Sequence, residues 1–136
     1  MPRKTLISKI MTREIVTIDV LAPMSDVRQI LTTQKFHHLP VVDGEQLVGI
    51  ISTNDLIRVM QTLPATSDNL DETLNSSTSI KATMQTDLVT MRMDGSVERA
   101  IDLLAGGEMH SLLIIDRDEV LVGIVTNIDL LEYLFD

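Results

Sequence analysis

Apolar and polar residues follow the same order twice along this chain. In each half, a short run of branched residues precedes a stretch in which apolar residues recur three and four positions apart, at 24–31 and again at 97–104. That spacing places apolar side chains on one face of an amphipathic helix. Each half is therefore predicted to begin with a short strand and a helix.

Two short apolar runs follow each predicted helix, with a polar turn between them. The first pair is LPVVD at 39–43 and LVGIIS at 47–52, and the second is LLIID at 112–116 and LVGIVT at 121–126. Branched residues around a polar turn are typical of a β-hairpin. A second helix, predicted at 53–61 and at 127–135, closes each half, so the order β-α-β-β-α occurs twice.

The two halves form an internal repeat. Residues 11–43 align with 84–116, and residues 47–60 align with 121–134. Because 13 of the 47 aligned pairs are identical and apolar positions match elsewhere, both halves are expected to share one fold. We predict repeat 1 at 1–62, a polar linker at 63–78 with a helical turn near Leu70 to Leu74, and repeat 2 at 79–136.

Composition excludes several classes of protein and site. The chain has no cysteine, which excludes disulfides, thiolate metal sites and a cysteine nucleophile. Its 20 acidic and 11 basic residues give a net charge of -9, which argues against nucleic acid and anionic membranes as partners. No run approaches the ~20 apolar residues that span a bilayer. We predict a cytoplasmic protein.

Each second helix begins with the same polar motif, Ser52-x-x-Asp55 in repeat 1 and Thr126-x-x-Asp129 in repeat 2. The hydroxyl lies where a strand becomes a helix, and free backbone N–H groups there favour an anion. A carboxylate three residues later can accept two hydrogen bonds from a ribose diol. The same pattern is also a capping box, which only begins a helix. The spacing alone leaves both interpretations open.

The ordered set of motifs resembles the CBS domain family, whose members usually occur as tandem pairs called Bateman modules. The motifs are HHLPVVD at 37–43, GIISTND at 49–55, HSLLIID at 110–116 and GIVTNID at 123–129. The resemblance implies an α+β fold of two β-α-β-β-α repeats with pseudo-twofold symmetry. Their small sheets would pack face to face, with the helices outside.

The resemblance also implies two clefts that hold an adenosine-containing ligand. In nucleotide-binding relatives, the lead strand and the two residues before the Leu-Pro pair of one repeat meet the Ser/Thr-x-x-Asp motif of the other. Carried onto this chain, cleft 1 comprises Thr12, Val16, His37, His38, Thr126 and Asp129. Cleft 2 comprises Val89, His110, Ser111, Ser52, Asn54 and Asp55.

Differences between the two copies affect the expected ligand. Ile128 stands where repeat 1 has the polar Asn54, and Ser111 stands where repeat 1 has His38. Because cations are few, a nucleoside or monophosphate is expected in preference to a triphosphate. The candidates are AMP, ADP, ATP and compounds like S-adenosylmethionine, with no cofactor required. His38 retains a potential cation, which favours the Asp129 cleft.

No metal or catalytic site is predicted. His37 and His38 are adjacent on a predicted strand, so their side chains point to opposite faces and do not form a metal site. No motif with a known catalytic mechanism occurs. The expected function is therefore a stand-alone regulatory module and not an enzyme. A fragment of a larger channel or enzyme is disfavoured, because the repeat pair starts near Met1.

Such a module would sense its ligand by a shift between conformations and pass the change to an unknown protein target. The alternative is a ligand-free protein-interaction scaffold. Because relatives commonly pair two modules through their helices, the resemblance also implies a homodimer. Its candidate surface comprises Leu56, Ile57, Met60, Leu130, Leu131 and Leu134.

Overall fold

The computed structural model describes residues 5–34, 37–64, 69–107 and 111–135. A short 3-10 helix at Ile7–Lys9 comes first. Repeat 1 contains β1 (Ile18–Asp19), α1 (Met24–Thr33), β2 (His38–Asp43), β3 (Gln46–Ser52) and α2 (Thr53–Gln61). Two helices follow, α3 (Leu70–Ser77) and α4 (Ile80–Thr83). Repeat 2 contains β4 (Thr90–Arg92), α5 (Val97–Ala105), β5 (Ser111–Ile115), β6 (Leu121–Thr126) and α6 (Asn127–Phe135). The predicted α+β order is confirmed in both repeats.

Each repeat forms a three-stranded sheet with the same topology. The first strand pairs parallel to the second, and the second pairs antiparallel to the third, in the orders β1-β2-β3 and β4-β5-β6. The register of both hairpins shifts at the same place, after Val41 in one and after Ile114 in the other. The internal repeat therefore extends to the irregularity within each hairpin.

The described residues form two compact units, and these do not follow the order of the chain. The continuous unit consists of the described residues of Val16–Leu88. The split unit consists of those of Met1–Ile15 together with those of Val89–Asp136. The start of repeat 1 therefore belongs to the unit that contains the sheet of repeat 2. The segment that follows α2 belongs to the unit with the sheet of repeat 1.

Backbone bridges account for this grouping. In the split unit, Thr12 and Ile124 exchange two backbone hydrogen bonds of 2.8 and 2.9 Å. In the continuous unit, Ile50 and Gln85 exchange two of 3.0 and 2.8 Å. Thr12 and Gln85 hold the same position in the repeat. Each lead-in segment, at 11–15 or at 84–88, thus pairs through an antiparallel bridge with the last strand of the sheet in its unit.

Two glycines allow these segments to approach closely. A Cβ at Gly49 would overlap the Sδ of Met84, and a Cβ at Gly123 would overlap the Sδ of Met11. Both methionines also pack with the core of their unit, Met11 as a buried member and Met84 as a partly buried one. Glycine is therefore favoured at these two strand positions by contact with a side chain and not by backbone conformation.

The buried apolar side chains form a cluster in each unit. Ile7 and Met11 pack in the split unit with residues of β5, β6 and α5. Leu74 of α3 and Ile80 of α4 pack in the continuous unit with residues of α1, β2 and β3. Both Leu74 and Ile80 are fully buried. The residues between the two hairpins therefore complete a core.

The segment predicted as a polar linker contains α3, which is longer than the expected helical turn. Arg28 of α1 forms a bidentate ion pair with Asp71, in which Nε lies 2.7 Å from Oδ1 and Nη2 lies 2.9 Å from Oδ2. Asn75 accepts a hydrogen bond from the Ser25 N–H at 2.8 Å and donates to the Ser25 hydroxyl at 3.0 Å. These bonds join α3 to α1.

Within the described ranges, no helix is both long and apolar enough to cross a bilayer.

Candidate functional site

The Ser52-x-x-Asp55 motif forms a complete capping box at the start of α2. The Ser52 hydroxyl accepts a hydrogen bond from the Asp55 N–H at 3.1 Å, and Asp55 Oδ2 accepts one from the Ser52 N–H at 2.9 Å. These bonds pair two N–H groups at the end of a strand and the start of a helix. The capping interpretation of the motif therefore applies in repeat 1.

Asp55 has more partners than the capping box requires. Arg58 forms an ion pair with Asp55 Oδ1, and the side-chain amide of Gln85 donates to the same oxygen at 3.0 Å. The Asp55 side chain is only 3% exposed. Burial acts to raise the pKa of Asp55, but hydrogen bonds from Ser52, Gln85 and Arg58 outweigh it and lower the pKa below its ordinary value. Both carboxylate oxygens are thus engaged within the chain.

The Thr126-x-x-Asp129 motif repeats the capping geometry with weaker partners. The Thr126 hydroxyl accepts from the Asp129 N–H at 3.3 Å, and Asp129 Oδ2 accepts from the Thr126 N–H at 2.9 Å. The Thr12 hydroxyl donates to Asp129 Oδ1 at 3.4 Å, which is long for such a bond. Asp129 is half-buried, and Glu132 stands where repeat 1 has Arg58. Its carboxylate is therefore more accessible than that of Asp55.

The strand register places a predicted ligand-binding residue beside each motif. His38 lies opposite Ser52 across β2 and β3, and Ser111 lies opposite Thr126 across β5 and β6. The carbonyl of His37 accepts a hydrogen bond from the Thr53 N–H at 2.8 Å. The structure thus brings together, within each unit, residues that the sequence analysis assigned to different clefts.

The other predicted residues lie at exposed positions or outside the described ranges. Val16 and Val89, the paired lead-in valines, are 40% and 41% exposed. Asn54 and Ile128 are exposed in the first turns of α2 and α6. His110 lies outside the described residues.

The predicted residues divide between the two units. The split unit holds Thr12, Val89, Ser111, Thr126 and Asp129. The continuous unit holds Val16, His37, His38, Ser52, Asn54 and Asp55.

Two residues in contact with Asp55 were not predicted from the sequence. Gln85 aligns with Thr12 in the repeat, so the alignment that nominated Thr12 also contained the signal for Gln85. Arg58 lies three residues after Asp55 on a helix, a spacing at which opposite charges meet. Neither signal shows by itself that both side chains reach the same carboxylate oxygen.

A groove lies beside each motif, within its own unit. In the continuous unit it has a volume of about 660 Å³ and is bounded by Asp55, Arg58 and Gln85 together with several Ser and Thr residues at 77–86. In the split unit it has a volume of about 590 Å³ and is lined by Ile10, Asp129, Glu132, Tyr133 and Phe135. Both volumes are in the range of small-molecule sites. The second groove combines two carboxylates with aromatic rings.

Two residues of the predicted dimer surface lie in the core. Leu56 and Leu130 are each buried at 6% exposure and pack within their own units, so their place on that surface was wrongly predicted. They occupy the inward face of an amphipathic helix, which the apolar pattern did not separate from the outward face. Ile57, Leu131 and Leu134 are exposed, and Met60 is half-buried.

The described residues contain no group of three His, Cys, Asp or Glu side chains placed to hold a metal ion.

Two β-α-β-β-α repeats, each with a capped Ser/Thr-x-x-Asp motif at the same strand-to-helix junction, define a tandem-repeat protein with duplicated candidate ligand sites. The sequence profile of the CBS domain matches residues 7–62 and 78–136. The chain belongs to the CBS domain family, as its motifs predicted.

Among curated relatives, a homoserine O-acetyltransferase from Methanohalobium evestigatum is 28% identical over 127 residues, which are 93% of this chain and 23% of that protein. The chain spans less than half the length of this relative and of three further curated relatives. The likeness to each of these relatives therefore covers only part of that relative.

Two similar solved structures are complexes with adenosine compounds. One is the CBS domain pair of protein MJ0100 with 5'-methylthioadenosine and S-adenosyl-L-methionine, with a TM-score of 0.76, 23% identity and coverage of 98% of this chain and 97% of that one. The other is CBSX2 with AMP, with a TM-score of 0.79, 21% identity and coverage of 96% of both chains. At these identities the likeness shows the fold.

Proposed function

We propose that this chain is a regulatory module that binds an adenosine-containing ligand, either AMP or an adenosyl compound such as S-adenosylmethionine, and that it is not an enzyme. The observation that carries the proposal is the half-buried Asp129 carboxylate, which Thr12 and Thr126 contact at the strand-to-helix junction. Complexes of AMP and of S-adenosylmethionine with proteins of this fold support the ligand class.

Asp129 would hold the ribose. An ionised carboxylate has about four acceptor positions, and a ribose diol presents two adjacent donors. The long bond from Thr12 to Asp129 Oδ1 is the weakest of its described contacts, so a ribose hydroxyl can replace it at small cost. Thr126, with Ser111 opposite, places hydroxyl groups at the start of α6, where the helix dipole favours a phosphate or carboxylate.

Regulation would follow from a difference in affinity between conformations. A ligand shifts an equilibrium only if it binds one state more tightly than the other. We propose that a bound adenosine compound selects one conformation of the two-repeat chain and that a protein target recognises that conformation.

Isothermal titration with AMP, ADP, ATP and S-adenosylmethionine tests the proposal. Asp129→Asn keeps the size of the side chain and removes the charge that accepts the ribose. Loss of a charged hydrogen bond costs about 1.5–3 kcal/mol, so affinity should fall by roughly 10-fold to 150-fold. Asp102→Asn, at an exposed position on α5 in the same unit, is the matched control and should bind as the wild type does.

A ligand-free interaction scaffold is the second candidate. The capping boxes at Ser52 and Thr126 account for both motifs without a ligand. Leu131, Leu134 and Phe135 also leave apolar surface exposed on α6. Absence of binding heat with all four compounds would favour the scaffold and reject the sensor.

A further inference from the structure

We infer that the two Ser/Thr-x-x-Asp motifs are not equivalent as ligand sites: Asp129 is open to a ribose, whereas Arg58 and Gln85 close the Asp55 motif from within the chain. The inference rests on the proposed function. It adds the number of ligands bound per chain and the residues that set that number.

The carboxylate of Asp55 already has the partners that a ribose would supply. Oδ1 accepts from both Arg58 and Gln85, and Oδ2 accepts from the Ser52 N–H. Three of about four acceptor positions are thus occupied, on a side chain that is 3% exposed. A ribose diol presents two hydroxyl donors, which need two accessible acceptor positions on the carboxylate, so it would have to displace Arg58 or Gln85.

The carboxylate of Asp129 lacks both of those partners. Thr12, at the position of Gln85, has a shorter side chain and donates to Oδ1 only at 3.4 Å. Glu132, at the position of Arg58, carries the opposite charge and cannot donate to a carboxylate. The two differences act at the same oxygen, because Arg58 and Gln85 both donate to Oδ1 of Asp55.

The side chains at positions 12 and 85 can be exchanged without a change in the backbone hydrogen bonds of either site. Thr12 and Gln85 make equivalent pairs of backbone hydrogen bonds, to Ile124 and to Ile50. Exchanging one side chain for the other should therefore leave each bridge in place. Positions 58 and 132 lie in the second turn of their helices, where Ala, Arg and Glu are all good helix formers.

Two double variants test the inference in opposite directions. In Thr12→Gln with Glu132→Arg, side chains like the two donors to Asp55 are placed beside Asp129. In Arg58→Ala with Gln85→Thr, the donors beside Asp55 are removed. Titration with AMP and with S-adenosylmethionine reports both affinity and stoichiometry, and circular dichroism with thermal melting reports whether each variant is folded.

We expect one ligand per chain for the wild type. The first double variant should lower affinity by at least 10-fold although Asp129 is intact, and the second should bind two ligands per chain. Arg99→Ala, at an exposed position on α5, removes the same charge as Arg58→Ala and is its control. It should still bind one ligand per chain. Because the variants alter different units, each tests the inference if the other does not fold.

Two ligands per wild-type chain would overturn the inference and leave the proposed function intact. So would unchanged affinity in the first double variant, or a single ligand in the folded second variant. No binding of either probe to the wild type would overturn the proposed function as well.

Discussion

Gln85 donates a hydrogen bond of 3.0 Å to the Asp55 carboxylate, from the lead-in segment of repeat 2 to the second helix of repeat 1. Thr12 makes the corresponding contact to Asp129 at 3.4 Å. In each unit, the lead-in segment of one repeat thus contacts the second helix of the other. The hydrogen bond is short in the continuous unit and long in the split unit. Stability and ligand binding should therefore depend on different copies of one motif.

The stability of the fold should depend on the ionisation of Asp55. The pKa of Asp55 is below its ordinary value in the folded chain, so at acid pH the unfolded chain binds more protons. Its contribution to stability is fully present above the ordinary pKa of about 3.9 and is lost as pH falls through the lower folded value. We expect the free energy of unfolding to decrease in that interval.

Asp55→Asn should remove this part of the pH dependence and cost about 1–3 kcal/mol at pH 7, because Arg58 loses a charged acceptor. Urea unfolding at several pH values from 7 to 2.5 measures both effects. Asp102→Asn is the control and should retain the acid dependence of the wild type. A parallel pH profile for Asp55→Asn and the wild type would contradict the prediction.

The segment between the repeats should be needed for stability. Leu74→Ala removes a fully buried side chain of α3 from the core of the continuous unit. Substitutions of this type cost about 2–5 kcal/mol because the cavity closes only in part. Leu70→Ala, on the same helix at an exposed position, should change the unfolding free energy by less than about 0.5 kcal/mol. Equal effects in urea unfolding would show that α3 is not part of the core.

The hairpins and second helices could be predicted from local pattern, whereas the composition of the two units could not. Branched runs around a polar turn predict β2–β3 and β5–β6 because both partners lie close in sequence. The contact between Met11 and Gly123 joins residues more than a hundred positions apart and leaves no local signal. Leu74 was similarly hidden, because a single buried leucine among Ser, Thr, Asn and Asp does not create an apolar pattern.

The candidate site was predictable as a pair of motifs but not as two different environments. The Ser52 and Thr126 motifs were identified as both possible caps and possible ligand contacts, and the structure confirms that both are caps. Which donors reach each carboxylate depends on backbone bridges, within each unit, between residues far apart in sequence. The alignment of the repeats shows that Gln85 and Thr12 differ at the same position. The effect of this difference on Asp55 and Asp129 appears only in the folded chain.

The ligand preference should follow the charge of the groove beside Asp129. Asp129 and Glu132 line it together with Tyr133 and Phe135, and its described lining residues include no Lys or Arg. Carboxylates repel a polyphosphate, whereas aromatic faces and carboxylates attract a sulfonium cation. We expect S-adenosylmethionine to bind more tightly than AMP and AMP more tightly than ATP. In titrations at low salt, Glu132→Gln should narrow the difference in affinity between S-adenosylmethionine and ATP. If the wild type bound ATP more tightly than S-adenosylmethionine, the assignment of the ligand to this groove would be contradicted.

The close approach at Gly49 should make its substitution costly through Met84. An alanine Cβ at position 49 would overlap the Met84 Sδ, so the partly buried methionine side chain would have to shift. Overpacking of this kind costs about 1–3 kcal/mol. Met84→Ala removes the overlapping atoms, so in urea unfolding the double variant should be less destabilised than the sum of the two single variants. Gly106→Ala is the control, since a Cβ there meets no atom within 4 Å. Additive effects of Gly49→Ala and Met84→Ala would show that the two residues do not share this contact.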